Sequence, residues 1–444
     1  MPSPLGKFFP PLGVDSRETR GEDFPVRSSI TLALVFGQLI SVGLRADDWP
    51  AYGGPRGNHV STEKGLRTDW GDEEPQRLWS LDVGLGYSSV VEVGGRAYTQ
   101  GYAKAKNTLL CVEASSGRIL WNHQYPCEKA DKYFPGGSRG TPAIHDGTLY
   151  LNSHQGDFYA LDAETGKILW AKNLPKDFGG RRPTWGYSGS PLVTDGKVIL
   201  ETGSEKGSVI ALDTETGNLK WRAGSHGAAY ASPLQRAGPE GEFMVFNEYG
   251  LVFHRLSDGF ELRKYQHRTR FGINAAQPLD MGASVLISSA YGKGAALVDV
   301  GRSRPKALWE SESFSCQMAS LVRFDSFAFG IHGQTGGRED QSSLFCMEIA
   351  KGKKRWEKKG FGLATVILVS DKLVILSDRG ELVLARANPF KFEELASFQA
   401  LPGKTNWTPP TYANGRMHCK GSQGKWVCLE MGSIRQGDSD ASGG

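Results

Sequence analysis

Four stretches of thirteen residues read almost alike. Residues 158–170 run Phe-Tyr-Ala-Leu-Asp-Ala-Glu-Thr-Gly-Lys-Ile-Leu-Trp and residues 209–221 run Val-Ile-Ala-Leu-Asp-Thr-Glu-Thr-Gly-Asn-Leu-Lys-Trp; residues 109–121 and 344–356 repeat the pattern with Cys at the Ala position. A small residue, a glycine and a tryptophan keep fixed offsets: Ala160, Gly166, Trp170; Ala211, Gly217, Trp221; Cys111, Gly117, Trp121; Cys346, Gly352, Trp356. Each copy alternates as two short β-strands do, and its middle is turn chemistry, with a glycine able to take the left-handed conformation of a short hairpin. Weaker copies occupy 251–265 and 296–309. Such a period means one supersecondary unit stacked many times, which excludes most folds at once.

Each unit also has a front half: a small residue, often Ser/Thr-Pro, then a strand, a turn and a second strand, as in 140–150 and 189–199. Eight such openings recur, at Ser88, Gly140, Gly189, Ala231, Ala276, Ala319, Ala364 and Thr408. They are separated by 42 to 52 residues, room for four short strands and their turns. Every opening residue is small, as strand ends crowded around a common axis require. The pattern predicts an all-β chain folded as an eight-bladed β-propeller of four-stranded antiparallel blades. The last unit supplies three strands, 410–412, 416–419 and 426–429, and lacks a Trp strand, whereas 77–83 with Trp79 is a spare Trp strand at the front. Pairing the two closes the ring and removes its free edges. The 57 glycines among 444 residues suit a turn-dense chain of this kind.

The propeller is expected over 77–431, after an irregular arm at 47–76 pinned by Trp49, Tyr52 and Trp70, and before a polar, disordered tail at 432–444. Residues 1–46 read as a signal peptide with an atypical polar leader: 29–44 is apolar but short for a membrane span, and Ala46 is a cleavage point. The expected product is exported to the periplasm or cell envelope, without a transmembrane span, and is a monomer. A net charge of +4 with no dense basic stretch argues against nucleic acid. Of the six cysteines, Cys111, Cys346 and Cys428 take the small-residue position of the repeat, and no Cys-x-x-Cys occurs. The nine histidines have no zinc-motif spacing.

Ala160-x-Asp-x-x-Thr-Gly-Lys-x-x-Trp170 and its copies resemble the tryptophan-docking repeat of the PQQ-like propeller superfamily, which includes the quinoprotein alcohol dehydrogenases and the outer-membrane assembly lipoprotein BamB. The segments 49–57 and 185–191 are similar to those of exported bacterial PQQ-binding-like β-propeller repeat proteins. The resemblance covers about 77–431 and implies fold more firmly than function. It also implies a set of parts for dehydrogenase chemistry: a vicinal Cys pair, a calcium held by acidic and Asn ligands, and an Asp base. This sequence has no vicinal Cys and no Cys-x-x-Cys-His, and no Cys follows the apolar stretch as a lipid anchor requires. No cofactor is therefore expected, although the resemblance admits PQQ.

A ring places the residue before each opening at the channel mouth: Tyr87, Arg139, Ser188, Tyr230, Ala275, Met318, Leu363 and Trp407. One step further out stand Ser138, Tyr187, Asn274, Gln317 and Asn406, with Trp185 close by. From these, Arg139, Trp185, Tyr187, Tyr230, Asn274, Gln317 and Trp407 are the candidate ligand-binding residues. Aromatic walls and one cation suit a planar or anionic ligand, and the same residues equally fill a channel that binds nothing. Two functions stand: a non-catalytic scaffold or binding protein that engages partner proteins or polymers through its loops and channel mouth, and a PQQ-dependent dehydrogenase or other channel-sited enzyme.

Overall fold

Alternating strands with only one apolar face cannot stand alone; each must be covered by another sheet. In the computed structural model of the protein, which describes residues 48–70, 73–129, 134–238 and 241–432, the strands form eight sheets, each built on four antiparallel strands. Seven are consecutive four-stranded meanders, blade 1 over residues 91–126 and blade 7 over 365–399. Blade 8 joins residues 411–430 to Arg77–Asp82, which pairs with Lys425–Glu430 as the outermost strand. The expected ring of eight blades, closed by the N-terminal strand, is the observed fold. The leader expected over 1–46, and the tail beyond residue 432, lie outside the described residues.

The repeat's fixed offsets have a three-dimensional cause. In each strong copy the small residue lies directly across the sheet from the tryptophan: Ala160 from Trp170, Ala211 from Trp221, Cys111 from Trp121, Cys346 from Trp356, and Cys428 from Trp79. The indole then crosses to the next blade. Trp170 Nε1 donates to the Thr214 carbonyl at 2.9 Å, Trp121 Nε1 to Ala163 at 3.2 Å and Trp79 Nε1 to Ala114 at 2.8 Å. The turn glycine of that next blade lies under the ring. A Cβ on Gly217, Gly166 or Gly117 would come within 2.6 Å of Trp170, Trp121 or Trp79 respectively, and all three have φ between +67° and +73°. Both requirements, space and a positive φ, are met only by glycine.

The opening residues are small for the expected reason, since a Cβ on Gly189 would lie 2.7 Å from the Ala231 carbonyl of the next blade. The residue after each opening adds an inter-blade bond. Ser190 N donates to Ser232 Oγ, Ser232 N to Gln277 Oε1 and Gln277 N to Ser320 Oγ, at 2.9, 2.9 and 3.1 Å. At the ring's join the Glu92 carboxylate is fully buried. It accepts from His418 Nε2 at 2.7 Å and from the Arg416 guanidinium.

The N-terminal arm does more than lie across the body. Val60–Ser61 pairs in parallel with Thr365–Val369, the innermost strand of blade 7, on its channel edge. The Trp49 backbone pairs with Glu92 of blade 1, the Pro50 carbonyl accepts from Ile144 of blade 2 at 2.8 Å, and Glu63 accepts from the Asn414–Gly415 turn of blade 8. The arm therefore enters the bore and meets inner strands from several sides. Among the described residues, no helix is long and apolar enough to cross a membrane.

Candidate functional site

At the channel mouth the connections between blades bring aromatic side chains around a cavity with space for water centres of about 170 Å³, roughly ten times the 10–15 Å³ that one water needs. Seven of the eight residues that precede the openings line it: Tyr87, Arg139, Ser188, Tyr230, Ala275, Met318 and Trp407. Leu363, the eighth, lines a smaller void between blades 6 and 7. Tyr87 and Trp407 stack at 5.8 Å with their planes 16° apart, and Phe134 meets Trp407 edge-on at 5.1 Å. The Arg139 guanidinium lies 5.4 Å above the Tyr87 ring. Three blades away, Trp185 and Tyr230 meet edge-on at 6.0 Å, and burial pushes the Tyr230 phenol up to about 12. Arg139 is the one charged group among the described lining residues, which include no Asp, Glu or Cys.

Five of the seven sequence candidates, Arg139, Trp185, Tyr230, Gln317 and Trp407, thus come together. Tyr187 and Asn274 do not reach the cavity. Consecutive residues of extended chain face opposite ways, so a residue two before an opening turns into the wall when the one before it faces the channel. Tyr187 is 3% exposed, packs among Phe158 and Trp170, and donates to the Thr202 carbonyl at 2.9 Å. It anchors the connection that carries Trp185. The Asn274 side-chain amide is fully buried and donates to the Asn247 and His267 carbonyls at 2.7 and 3.0 Å, while the backbone carbonyl of Asn274 accepts from the Tyr230 and Ala231 N–H groups. It positions Tyr230. Gln317 escapes the rule because it bonds inward to the Tyr291 hydroxyl at 2.9 Å.

Sequence reasoning missed Phe134 and Ile273, on connections between blades, and Tyr291 and Thr335, in the turns between the second and third strands of blades 5 and 6. It also missed Tyr52 as a cavity residue. Tyr52 belongs to the arm inside the bore and meets His59 edge-on at 4.8 Å, and burial raises its phenol above the ordinary value. Its aromatic ring lines the cavity. Tyr291 is held at φ +59°, an unfavourable value for a bulky residue, by its N–H bond to Gln334 Oε1.

A planar acid finds stacking faces and a guanidinium here, but the lining residues do not fit the metal-bound quinone of the dehydrogenases. No carboxylate or thiol among them can hold a metal ion or supply the paired sulfurs. Among the described residues no three His, Cys, Asp or Glu side chains cluster as metal ligands, and all six cysteines are buried and unpaired.

The same fold recurs in solved structures of low sequence identity. The quinohemoprotein alcohol dehydrogenase of Comamonas testosteroni superposes with a TM-score of 0.66 at 14% identity, over 89% of this chain and 82% of that one. A europium-containing methanol dehydrogenase gives 0.63 at 14%, over 87% and 90%. BamB of Moraxella catarrhalis gives 0.58 at 17%, over 80% and 98%. No curated protein matches the chain in sequence. Residues 105–335, just over half of the chain, match the family described as outer membrane protein assembly factor BamB. With that match and the eight-bladed fold, the chain belongs to the BamB family of PQQ-like β-propellers.

Proposed function

We propose that the protein is an exported, non-catalytic β-propeller of the cell envelope that binds a partner protein or polymer through its loops and channel mouth, with the aromatic cavity as the ligand site. One observation carries this reading: the mouth converges on aromatic faces and a single guanidinium, with no carboxylate or thiol among the described lining residues to do acid–base, metal or redox work. Arg139 offers a planar donor fork to an anionic group, and Tyr87, Trp407, Trp185 and Tyr230 offer faces. Export is supported by the apolar stretch at 29–44 and by membership of a family described by an outer membrane assembly factor. On this reading the protein acts as a monomer and needs no cofactor. A second reading, a quinoprotein dehydrogenase, is favoured by the fold shared with the Comamonas enzyme.

Incubation with PQQ and Ca²⁺ separates the two when binding and dye-linked alcohol oxidation are both measured. The expected result is no turnover, with any binding of this planar acid weakened by Arg139→Ala and Trp407→Ala. Oxidation that requires PQQ overturns the non-catalytic reading.

A further inference from the structure

The arm contributes Tyr52 to the cavity. Its backbone pairs with inner strands on blades 1, 2 and 7. Gly57 lies so close to blade 4 that a Cβ there would come within 2.5 Å of Leu234 Cδ2. The arm therefore spans the bore, and its Tyr52 lines the cavity beneath the mouth. Whatever enters must leave the same way, so a polymer cannot thread through and only an end of one can be seated.

The walls narrow what that end is. The Tyr87–Trp407 stack and the Trp185–Tyr230 pair stand three blades apart and offer flat faces on two sides. Between them lie neutral hydroxyls on Thr141, Ser188 and Ser232. Thr141 Oγ1 and Ser232 Oγ already accept backbone N–H bonds at 2.9 Å, which leaves their own protons to donate. A hydrocarbon ring would bury these hydroxyls without partners, a loss in binding, whereas a ring that is apolar on its faces and hydroxylated at its edge satisfies both. Arg139 adds a guanidinium that can donate to a carboxylate at the ring's edge. Resting on the reading of the cavity as a ligand site, we propose that it binds the end of an acidic polysaccharide: its terminal uronate rings, stacked on the aromatic walls, with their depth of entry set by Tyr52.

The test is calorimetric titration of the full chain with galacturonic acid, oligogalacturonates of two to five rings and their methyl esters. The expected affinity rises over the first rings that fit beneath the mouth and then levels off. Methyl esters, and the variants Arg139→Gln and Trp407→Ala, should bind about tenfold more weakly or worse. Tyr52→Ala should move the plateau to a longer chain while Tyr52→Phe keeps it. Affinity that climbs with every added ring, equal binding of the methyl esters, or indifference to Tyr52→Ala and Trp407→Ala each overturns the proposal, as does preferential capture of peptides with a free C-terminal carboxylate. If PQQ binds in the cavity while no oligogalacturonate does, the polysaccharide assignment falls and the ligand site stands; PQQ-dependent turnover removes the non-catalytic reading itself.

Discussion

Glu201 illustrates how this ring treats a single polar side chain. It occupies the fifth position of the second strand of blade 3, and the same position in four other blades carries Gln100, Asn152, Ser288 and Lys420. Each reaches the connection that leads into the next blade: Gln100 donates to the Gly140 carbonyl, Asn152 to Gly189, Ser288 to Phe314 and Lys420 to Gly86, while Glu201 Oε2 accepts from Ala229 N. Glu201 Oε1 has no hydrogen-bond partner and is shielded from solvent. Burial pushes its carboxyl up to about 8, so between pH 4.5 and 8 the folded state holds a proton that the unfolded state has released. Stability from this group is then full below pH 4.5 and is lost as pH rises through 8. Glu201→Gln is therefore expected to raise the unfolding midpoint at pH 8 by a few degrees, about 2–4 °C per kcal/mol for a large domain, and to match the native protein at pH 4. Thermal melts at both pH values check this; an equal shift at both would mean that the carboxyl is not held neutral.

At the scale of the strand pair, the tryptophan and the glycine beneath it act between blades rather than within one. Truncating Trp170 removes a ring that is 8% exposed together with its bond to Thr214, and loss of a buried aromatic costs about 3–5 kcal/mol. Chemical denaturation should show that loss for Trp170→Ala and almost none for Lys167→Ala on the exposed turn. Gly166→Ala should also destabilise, by about 1–3 kcal/mol, since it forces a side chain onto φ +73° and into Trp121. The diagnostic result is a double-mutant cycle: Trp121→Ala should relieve much of the Gly166→Ala penalty, although the two residues lie in different blades.

For the whole molecule, everything depends on joining the first and last blades. Arg77–Asp82 completes blade 8, Trp79 meets Trp426 edge-on at 4.8 Å, and buried Glu92 binds Arg416 and His418 across the join. Without residues 47–83 the strand Lys425–Glu430 is left with a bare edge, and aggregation is the expected outcome by light scattering; a soluble monomer of unchanged stability would place the closure elsewhere. Burial alone would raise the Glu92 carboxyl, but His418 and Arg416 more than offset it and hold it below the usual carboxylate range. Its contribution is present above pH 4.5 and lost as pH falls through the lower folded value. Glu92→Ala leaves the partly buried Arg416 guanidinium and the buried His418 ring without their shared partner, a loss of up to about 3–5 kcal/mol at neutral pH, and should flatten the acid limb of the stability profile. The arm that leads into this closing strand carries Tyr52 to the cavity.

The repeat made the architecture legible. Eight small openings, a spare Trp strand at Trp79 and the offsets to Trp170 are local facts, and rotational symmetry converts a sequence period into equivalent positions around an axis. For that reason seven of the eight residues placed at the mouth are there. Symmetry is silent where the chain departs from the period. Tyr187 and Asn274 share a repeat position with Gln317, yet extended backbone turns them into the wall and a bond to Tyr291 draws Gln317 out. Phe134 rides on a connection between blades and Tyr291 on a turn within blade 5, and Tyr52 reaches the cavity because an arm without repeats pairs with strands far from it in sequence. Periodic hydrophobic patterning dictates blades; long-range packing of aperiodic segments, which no local pattern encodes, decided that the arm pairs with inner strands and which rings face the cavity.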